Sequence, residues 1–385
     1  MVQAKPRRHV KIVCTLGPAS NSTQAIAKML KAGMDVARLN LNYGTFEEHR
    51  RLIAAVRSLS TKLSLPTGIL LDLPGLKRRT GDIKEVFGPH LEFALSQKVD
   101  FVALSFISTV QQVMKVRGLL KVMKSNVPVI VKIERAQALK EATAIIEESD
   151  GIMVARGDLA NGISIEKVPL AQKQLIREAN YRGKPVITAT QMLESMVKLP
   201  TPTRAEATDI ANAVLDGSDA LMLSEETAIG SYSAEAVATM AKIALEAETA
   251  FPYEQLLRER RQDTPPEIND ATARAACEIA HQIQAKAIVA FTSGGTTALR
   301  VSKYRPRQII LAVTPSETIV RRLSLAWGVS PIMKSAPDNI EDVFEVAREA
   351  ALETGIGKKG DLLVITAGLP LATPGSTNLV KVHRI

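Results

Sequence analysis

Short apolar runs rich in β-branched residues alternate with longer segments of helical period along most of this 385-residue chain. Each run is followed by a stretch with apolar positions three and four residues apart, which is typical of an amphipathic helix. Regular alternation of strands and helices is typical of parallel strands joined by crossover helices. The runs before residue 225 cover 10–17, 34–41, 67–73, 99–106, 127–134, 150–158, 184–191 and 218–224.

Eight strand and helix pairs in fewer than 250 residues are what a closed (β/α)8 TIM barrel requires. We therefore predict an α/β protein whose residues 1–250 form a catalytic barrel. The polar, proline-bearing segment 251–268 is interpreted as a domain linker. Strand-like runs again alternate with helical stretches in 269–385, which predicts a smaller three-layer α/β C-terminal domain.

Composition excludes several classes of protein. The two cysteines, Cys14 and Cys277, are far apart, and the five histidines are scattered, so neither a disulfide framework nor a zinc site is expected. A net charge of +9 with only 4% aromatic residues favours anionic small molecules over nucleic acid. No apolar stretch is long enough to span a bilayer, and the N-terminus shows no cleavage site. We therefore expect a cytoplasmic enzyme that binds neither membranes nor nucleic acid.

Polar residues gather where the predicted strands end. In a barrel of this type the chemistry is located at the carboxyl ends of the strands, whereas the strand bodies pack the interior. The candidate site is therefore the set of strand-end residues Arg38, Asn40, Asn42, Asp72, Ser105, Lys132, Glu134, Arg156, Asp158, Thr190, Gln191, Ser224 and Glu226.

Lys132 and Glu134 are two residues apart on one strand, so their side chains point to the same side and can reach one bound species. Glu134 and Asp158 end neighbouring strands and can hold a hard divalent cation, Mg²⁺ or Mn²⁺. A lysine beside a metal suits phosphoryl chemistry, where catalysis is mainly charge stabilisation. The turn at 156–158 can also offer backbone N–H groups to an anion. The alternative is structural: a Lys132–Glu134 ion pair with Asp158 as a helix cap.

Longer motifs make the chain resemble the pyruvate kinase family. They are KIVCTLGPAS (11–20), DVARLN (35–40), DGIMVARGDL (150–159), GKPVITATQMLESM (183–196), and PTRAE with ANAVLDGSDALML (202–223). The resemblance covers the predicted barrel from Arg8 to Ala250 and continues through the second domain.

The resemblance implies roles for the residues of the later strands. Lys132 would stabilise the phosphoryl group in transfer between phosphoenolpyruvate and a nucleoside diphosphate. Glu134 and Asp158 would hold Mg²⁺, or Mn²⁺ in its place. Gly157, Asp158 and Thr190 would bind the substrate carboxylate, and Thr190 would relay a proton to the enolpyruvate.

It also implies roles for the earlier strands. Arg38 would contact phosphate, and Arg79 matches an active-site arginine of the family. Asn40 would help to bind substrate. Asn40, Asn42 and Asp72 would form a site for a monovalent cation, K⁺, in which Asn42 stands for a serine of the family.

The chain departs from the family at one side of this site. Between Gly81 and Leu91 it lacks the lid domain that closes over the nucleotide. The usual LDTKGPEIRTG is LDLPGLKRRTG here, so that Leu73 replaces a cation-site threonine, and Tyr43 replaces a nucleotide-side histidine. Further replacements are Pro74, Ala160, Gly162 and Glu225.

The predicted second domain carries FTSGGTTALR (291–300), a strand followed by a turn of small and hydroxyl residues that leads into a helix. Such a turn can present amides and hydroxyls to an anion, although it also fits an ordinary strand-to-helix turn. The resemblance identifies it with an effector-phosphate loop, which would make Thr292, Ser293, Gly295, Thr296 and Thr297 the ligands of a sugar-phosphate effector.

Three functions are compatible with these residues. The first is a lidless pyruvate kinase-like phosphotransferase acting in glycolysis, with an ATP-binding site and allosteric control, and homotetrameric as family members commonly are. The second keeps Mg²⁺, Lys132 and Thr190 but performs only enolate chemistry on pyruvate or a related keto acid. The third is a catalytically weak regulatory or binding homologue that senses sugar phosphates through the loop at 292–297.

Overall fold

The computed structural model describes residues 7–75, 82–259, 267–371 and 375–385. Two compact units are present. One is Val10–Thr249, and the other combines the residues before Val10 with Ala250–Ile385.

Eight parallel strands of the first unit close into a barrel, in which each strand pairs with the next in sequence and β8 pairs with β1. The predicted (β/α)8 barrel is confirmed. The strands are β1 (Lys11–Thr15), β2 (Val36–Asn40), β3 (Gly68–Leu73), β4 (Phe101–Leu104), β5 (Val129–Ile133), β6 (Gly151–Ala155), β7 (Val186–Ala189) and β8 (Ala220–Leu223).

Helices follow the strands, as the apolar periodicity predicts. Several begin at hydroxyl residues that accept a backbone N–H, for example Thr45 and Thr203, each with a glutamate three residues later that completes a capping box. The helices of this unit are α1 (Thr23–Ala32), α2 (Phe46–Leu63), α3 (Ile83–Ser96), α4 (Val110–Val122), α5 (Ala136–Lys140), α6 (Ala142–Glu148), α7 (Arg156–Ala160), α8 (Val168–Tyr181), α9 (Arg204–Leu215), α10 (Glu225–Ala228) and α11 (Ser233–Thr249).

An aspartate stands immediately before every even-numbered barrel strand. Its carboxylate accepts the backbone N–H of a residue in the preceding strand, at distances from 2.8 to 3.1 Å. These bonds tie neighbouring strands together at the amino end of the barrel, which leaves the carboxyl end for chemistry. The four residues are Asp35, Asp100, Asp150 and Asp219.

The second unit is built on a five-stranded sheet of order β11-β10-β9-β12-β13. Successive residues of β9 face opposite sides: Ile288 joins the apolar cluster formed with α13 and α14, and Val289 joins the one formed with α16. Helices therefore cover both faces, as a three-layer domain requires. The elements are α12 (Tyr253–Glu259), α13 (Ile268–Gln282), β9 (Ala287–Phe291), α14 (Thr296–Lys303), β10 (Ile309–Thr314), α15 (Glu317–Leu323), β11 (Val329–Met333), α16 (Ile340–Glu353), β12 (Leu362–Gly368) and β13 (Thr377–Arg384).

Three features differ from the sequence predictions. The strand β13 runs antiparallel to β12. It lies outside the strand-like runs of the second domain, which are 285–293, 307–315, 330–334 and 361–368, because it is only half-buried and mixes polar with apolar residues. The helix α12 lies inside the segment 251–268 interpreted as a linker. His9, which the predicted barrel of residues 1–250 includes, instead stacks on Trp327 of the second unit with ring centroids 4.4 Å apart, so the barrel unit begins at Val10.

None of the helices in the described ranges combines the length and the apolar character needed to cross a lipid bilayer.

Candidate active site at the barrel mouth

Asp72, at the end of β3, is the centre of a buried charge network. Its side chain has no exposed surface. One carboxylate oxygen accepts hydrogen bonds from Arg38 Nε and Nη2 at 2.9 and 2.7 Å, and the other accepts one from Ser105 Oγ at 2.8 Å. Burial opposes ionisation of Asp72, but the charges of Lys132 and Arg38 outweigh it and lower the pKa of this carboxyl.

Lys132, on β5, is held between two carboxylates. Its Nζ lies 2.7 Å from Glu134 Oε1 and 3.3 Å from Asp72 Oδ2, and it donates to Ser105 Oγ at 2.9 Å. Burial disfavours the charged amine, yet Asp72 and Glu134 raise the pKa of Lys132 above its usual value. The amine is therefore a fixed cation at neutral pH.

Glu134 follows β5 and is almost fully buried. Its Oε2 accepts the backbone N–H of Phe106 at 2.7 Å, which fixes the direction of the carboxylate. Its buried Oε1 faces Lys132 without an aligned hydrogen bond, so it retains acceptor capacity. Burial raises the pKa of Glu134 above its ordinary value despite the nearby ammonium.

Thr190, directly after β7, has a left-handed backbone with φ of 74°, and Gln191 follows with φ of 54°. A β-branched residue in this region is strained and needs support from its surroundings. The Thr190 hydroxyl accepts the backbone N–H of Gly157 at 2.9 Å and donates to Ala189 O at 2.6 Å. Arg156 donates to the Thr190 carbonyl at 2.6 Å. Two adjacent residues of α7 thus hold Thr190 at two points.

These groups surround a cavity of about 470 Å³ at the carboxyl end of the barrel, which we call the barrel-mouth cavity. Its lining includes Arg38, Asn40, Asn42, Tyr43, Ser105, Lys132, Asp158, Thr190 and Ser224. A second cavity of about 490 Å³, the side cavity, is lined by Glu134, Arg135, Gln137, Asp158 and Asn161 among others. The exposed Asp158 lines both cavities, and Glu134 lies beside the first and opens to the second.

The structure brings together most of the residues predicted for substrate and phosphate. Lys132, Thr190, Asp158, Arg38 and Asn40 share the barrel-mouth cavity. Two details differ from the prediction. The Gly157 amide is bonded to Thr190 rather than directed at an anion. The guanidinium of Arg38, offered to phosphate in the prediction, is bonded to Asp72 and Thr15. Arg79 lies outside the described residues.

The donor set fits a hard divalent cation. In the described parts of the chain no group of three or more His, Cys, Asp or Glu side chains is placed to hold a metal. Glu134 and Asp158 nevertheless offer two carboxylates to the same side cavity, and Oε1 of Glu134 keeps acceptor capacity. Mg²⁺ commonly takes one or two protein carboxylates and completes its octahedron with water and substrate oxygens.

The residues predicted for a monovalent cation are bonded to one another or to other protein groups. Asn40 Oδ1 accepts the backbone N–H of Asn42 at 3.1 Å and its Nδ2 at 3.0 Å. Asp72 is occupied by Arg38, Ser105 and Lys132. Leu73, which replaces the threonine, is buried and apolar. In the part of the chain that the structure describes, Asn40 Oδ1 and both Asp72 carboxylate oxygens thus accept protein hydrogen bonds, and the K⁺ site stays a prediction.

Ser105 and Arg156 are recognisable in the sequence only as polar residues at strand ends, but the structure shows that both bond to predicted site residues. Ser105 donates to Asp72 and accepts from Lys132, so it links the two charges. Arg156 bonds to Ala189 O, Thr190 O and Asp209. Their position directly after an apolar strand is the sequence signal that could have identified them. Their bonding partners lie on other strands and helices, so the sequence does not indicate these bonds.

The second unit has its own small cavity of about 110 Å³, and all five residues predicted for an effector lie in or beside it. Thr292, Ser293, Thr296 and Thr297 line it together with Lys334. Gly295 has φ of 89° and donates its N–H to Thr292 Oγ1 at 2.8 Å. The hydroxyls of Thr297 and Thr377 are 2.8 Å apart. The loop is therefore ordered by its own hydroxyl groups, and Lys334, whose ammonium pairs with Glu353, contributes to the lining of the cavity.

Comparison with protein families gives two matches. A model described as "Pyruvate kinase, barrel domain" matches residues 7–90 and 88–237, and one described as "Pyruvate kinase, alpha/beta domain" matches residues 270–383. The first match consists of two segments that overlap at residues 88–90, next to the position where the sequence predicts a missing lid domain.

Curated relatives include the proteins named pyruvate kinase from Staphylococcus aureus strains USA300, NCTC 8325 / PS 47 and COL. Each is 37% identical over 471 residues, which cover 98% of this chain and 80% of the relative. Since the aligned length exceeds the 385 residues of this chain, these relatives contain residues with no counterpart here.

Proposed function

Because the chain belongs to the pyruvate kinase family, we propose that it transfers a phosphoryl group between phosphoenolpyruvate and a nucleoside diphosphate and gives pyruvate. One observation carries the proposal. Lys132, Asp158 and Thr190 line a single cavity at the carboxyl end of the barrel, and the buried carboxylate of Glu134 pairs with that lysine. A cation, two carboxylates and a hydroxyl are the groups that phosphoryl and proton transfer to an enol require.

Lys132 supplies the positive charge for the transferred group. Its ammonium is positioned by Ser105 and by the carboxylates of Asp72 and Glu134, so it need not reorganise when negative charge develops. Preorganised charge of this kind contributes most in a partly buried site, where water does not screen it. In the structure described, Asp72 and Glu134 raise the pKa of Lys132, which favours the charged amine.

Thr190 is the group that would exchange a proton with the methyl carbon of the product. Its hydroxyl can both accept and donate, and it lines the same cavity as Lys132. The bonds from Gly157 and Arg156 hold it in one position. We propose that Thr190, held by the Gly157 amide, and Asp158 orient the carboxylate end of the substrate, and that Asn40 and Arg38 line the same cavity.

Glu134 and Asp158 would hold Mg²⁺ or Mn²⁺, which supplies Lewis-acid stabilisation of phosphoryl and enolate oxygens when bound. We derive no step through K⁺, because the described residues predicted to bind it are bonded to other protein groups.

A ³¹P NMR assay tests the proposal. Purified protein is incubated with phosphoenolpyruvate, Mg²⁺ and either ADP or GDP. We expect the phosphoenolpyruvate resonance to decline while nucleoside triphosphate resonances rise. Release of inorganic phosphate alone would indicate hydrolysis through an open site, and an unchanged spectrum would contradict the proposal.

The division of the family match into two segments favours a second candidate, enolate chemistry on pyruvate or a related keto acid. The lid that desolvates nucleotide phosphates in the family has no counterpart here, whereas Lys132 and Thr190 belong to the barrel itself. Pyruvate with Mg²⁺ should then exchange its methyl protons in D₂O, which proton NMR detects directly. Exchange without transfer to any nucleoside diphosphate would select this candidate. Absence of both activities would favour a regulatory homologue.

We also propose that the small cavity of the second unit binds a sugar-phosphate effector. Its hydroxyl-rich wall and Lys334 suit a phosphate group. Calorimetric titration with a sugar bisphosphate, on the wild type and on Thr292→Val, tests this. Equal affinities, or none in either protein, would contradict it. The cytoplasmic location and the tetramer stay predictions.

A further inference from the structure

We propose that Arg156 is a positioning residue whose contacts hold Thr190 in the conformation that proton exchange requires. The inference rests on the proposed role of Thr190 as a proton relay. It goes beyond that role because it assigns a function to a side chain outside the cavity.

The contacts of Arg156 converge on the end of β7. Its Nη2 donates to Thr190 O at 2.6 Å and approaches Met192 Sδ at 2.9 Å, and its Nε donates to Ala189 O at 3.2 Å. The guanidinium therefore binds the carbonyl oxygens of both peptide bonds that flank Thr190, Ala189–Thr190 and Thr190–Gln191. One residue further along the chain, the Gly157 N–H binds the Thr190 hydroxyl.

A second set of contacts fixes the guanidinium itself. Its Nη1 lies 2.7 Å from Asp209 on α9 and 3.3 Å from Gln172 Oε1 on α8. The side chain of Arg156 is only 13% exposed, so water does not compete strongly for these bonds. A planar guanidinium can donate to carbonyls along one edge and to a carboxylate along another. A lysine ammonium lacks this planar, forked arrangement of donors.

The backbone of Thr190 explains why such support is needed. Its φ of 74° and that of 54° at Gln191 are unfavourable for residues with side chains, and such strain persists only where the surroundings enforce it. If the carbonyl of Thr190 were released, the peptide could relax toward the ordinary extended region. The hydroxyl would then leave its place in the barrel-mouth cavity.

The test is a double-mutant cycle of Arg156→Lys and Thr190→Val. Arg156→Lys keeps the positive charge but removes the fork. We expect pyruvate methyl exchange in D₂O to slow by about tenfold to a hundredfold, since a small displacement of a catalytic group has effects of this size. The KM for pyruvate and the affinity for Mn²⁺ should change by less than about twofold, because a mutation with no direct contact to a binding site usually alters its binding free energy by no more than that. In the Thr190→Val background, Arg156→Lys should have no further effect on exchange.

A second readout does not depend on activity. The γ-methyl resonance of Thr190, assigned by its loss in Thr190→Val, should shift in Arg156→Lys and to a smaller extent in Asp209→Asn. Arg182→Lys is the matched control, because Arg182 pairs with Glu147 and Glu178 outside the site. It should leave both the exchange rate and the resonance unchanged.

Each failure has its own signature. An unmoved Thr190 methyl resonance in a folded Arg156→Lys protein would overturn the positioning role. The positioning role would also be overturned if Arg156→Lys slowed methyl exchange by the same factor in the wild type and in the Thr190→Val background. If the wild type neither exchanges nor transfers, the proposed function fails, and the methyl resonance still decides whether Arg156 positions Thr190. If Arg156→Lys does not fold, Asp209→Asn carries the same test.

Discussion

The two sides of the barrel mouth differ in how their polar groups are used. On the β5–β7 side, Lys132, Asp158 and Thr190 face a cavity, and Glu134 retains an acceptor atom. On the β2–β3 side, Asn42 bonds to Asn40, and a leucine occupies the position after Asp72. The departures from the family resemblance concentrate on this second side. The residues predicted for phosphate and enolate chemistry thus face a cavity, whereas replacements at Asn42, Tyr43 and Leu73 fall on the side predicted for cation and nucleotide.

Asp72 joins the two sides, because it binds Arg38 on β2, Ser105 after β4 and Lys132 on β5. The replaced residues Asn42 and Leu73 are not among these partners, so none of the described contacts of Lys132 depends on them. The same arrangement makes the charges mutually dependent. Substitutions that impair one side and leave the other functional therefore test the difference between the two sides most directly.

The largest effect should come from Lys132→Met, which removes the cation of the β5–β7 side. We expect turnover to fall by about a hundredfold to a thousandfold, the scale for losing a preorganised electrostatic group. Measuring kcat for transfer or exchange decides this. Lys173→Met, on an exposed lysine paired with Asp216, is the control. A folded Lys132→Met protein with normal turnover would show that the β5–β7 side is not catalytic.

Asp72→Asn should destabilise the protein, since it removes the carboxylate that both sides share. Loss of one partner of a buried ion pair costs about 3 kcal/mol or more. Because the pKa of Asp72 is lowered in the folded protein, its contribution is present above the ordinary Asp value of 3.8 and is lost as pH falls through the lower folded value. Denaturant unfolding of both proteins from pH 7 down to pH 4 should therefore give a constant difference, which narrows only at lower pH.

Glu254→Gln is the control for this measurement, because Glu254 pairs with Arg258 at the surface. A smaller difference is expected there, about 1 kcal/mol or less for its exposed ion pair. Equal stability of Asp72→Asn and wild type at pH 7 would mean that Asp72 does not hold the two sides together.

The next effect concerns the carboxylates of the β5–β7 side. Glu134→Gln and Asp158→Asn should each weaken Mn²⁺ binding by at least about tenfold, since even outer partners of metal ligands have effects of this size. Calorimetry measures the affinities, with Glu147→Gln as an exposed control. Unchanged affinity in both variants would place the metal elsewhere.

The sequence predicts the fold more completely than it predicts the contacts within the candidate site. The barrel strands are continuous apolar runs, so their number and order could be predicted. The strand β13 could not, because its burial depends on pairing with β12. His9 likewise belongs to the second unit only through its stacking on Trp327.

In the site, Lys132 and Glu134 share a side because they are two residues apart on a strand, which spacing alone predicts. Ser105 and Arg156 are visible in the sequence only as polar strand ends. Their roles depend on Asp72 and Thr190, which lie on other strands and become neighbours only through the register of the closed barrel. The mutual bond of Asn40 and Asn42 also could not be predicted, because it depends on how the loop after β2 turns.

The smallest effect should come from the monovalent cation. Because Asn42 occupies Asn40 Oδ1, and Arg38, Ser105 and Lys132 occupy Asp72, replacing K⁺ by tetramethylammonium should change turnover by less than about twofold, the scatter of independent sites. The transfer assay, or methyl exchange if transfer is absent, measures this. Asn42→Ser removes Nδ2 from Asn40 Oδ1 and adds a hydroxyl, so that variant should respond to K⁺ more strongly than the wild type. A large activation of the wild type by K⁺ would contradict the proposed difference between the two sides, because the β2–β3 side would then bind the cation despite its internal bonds.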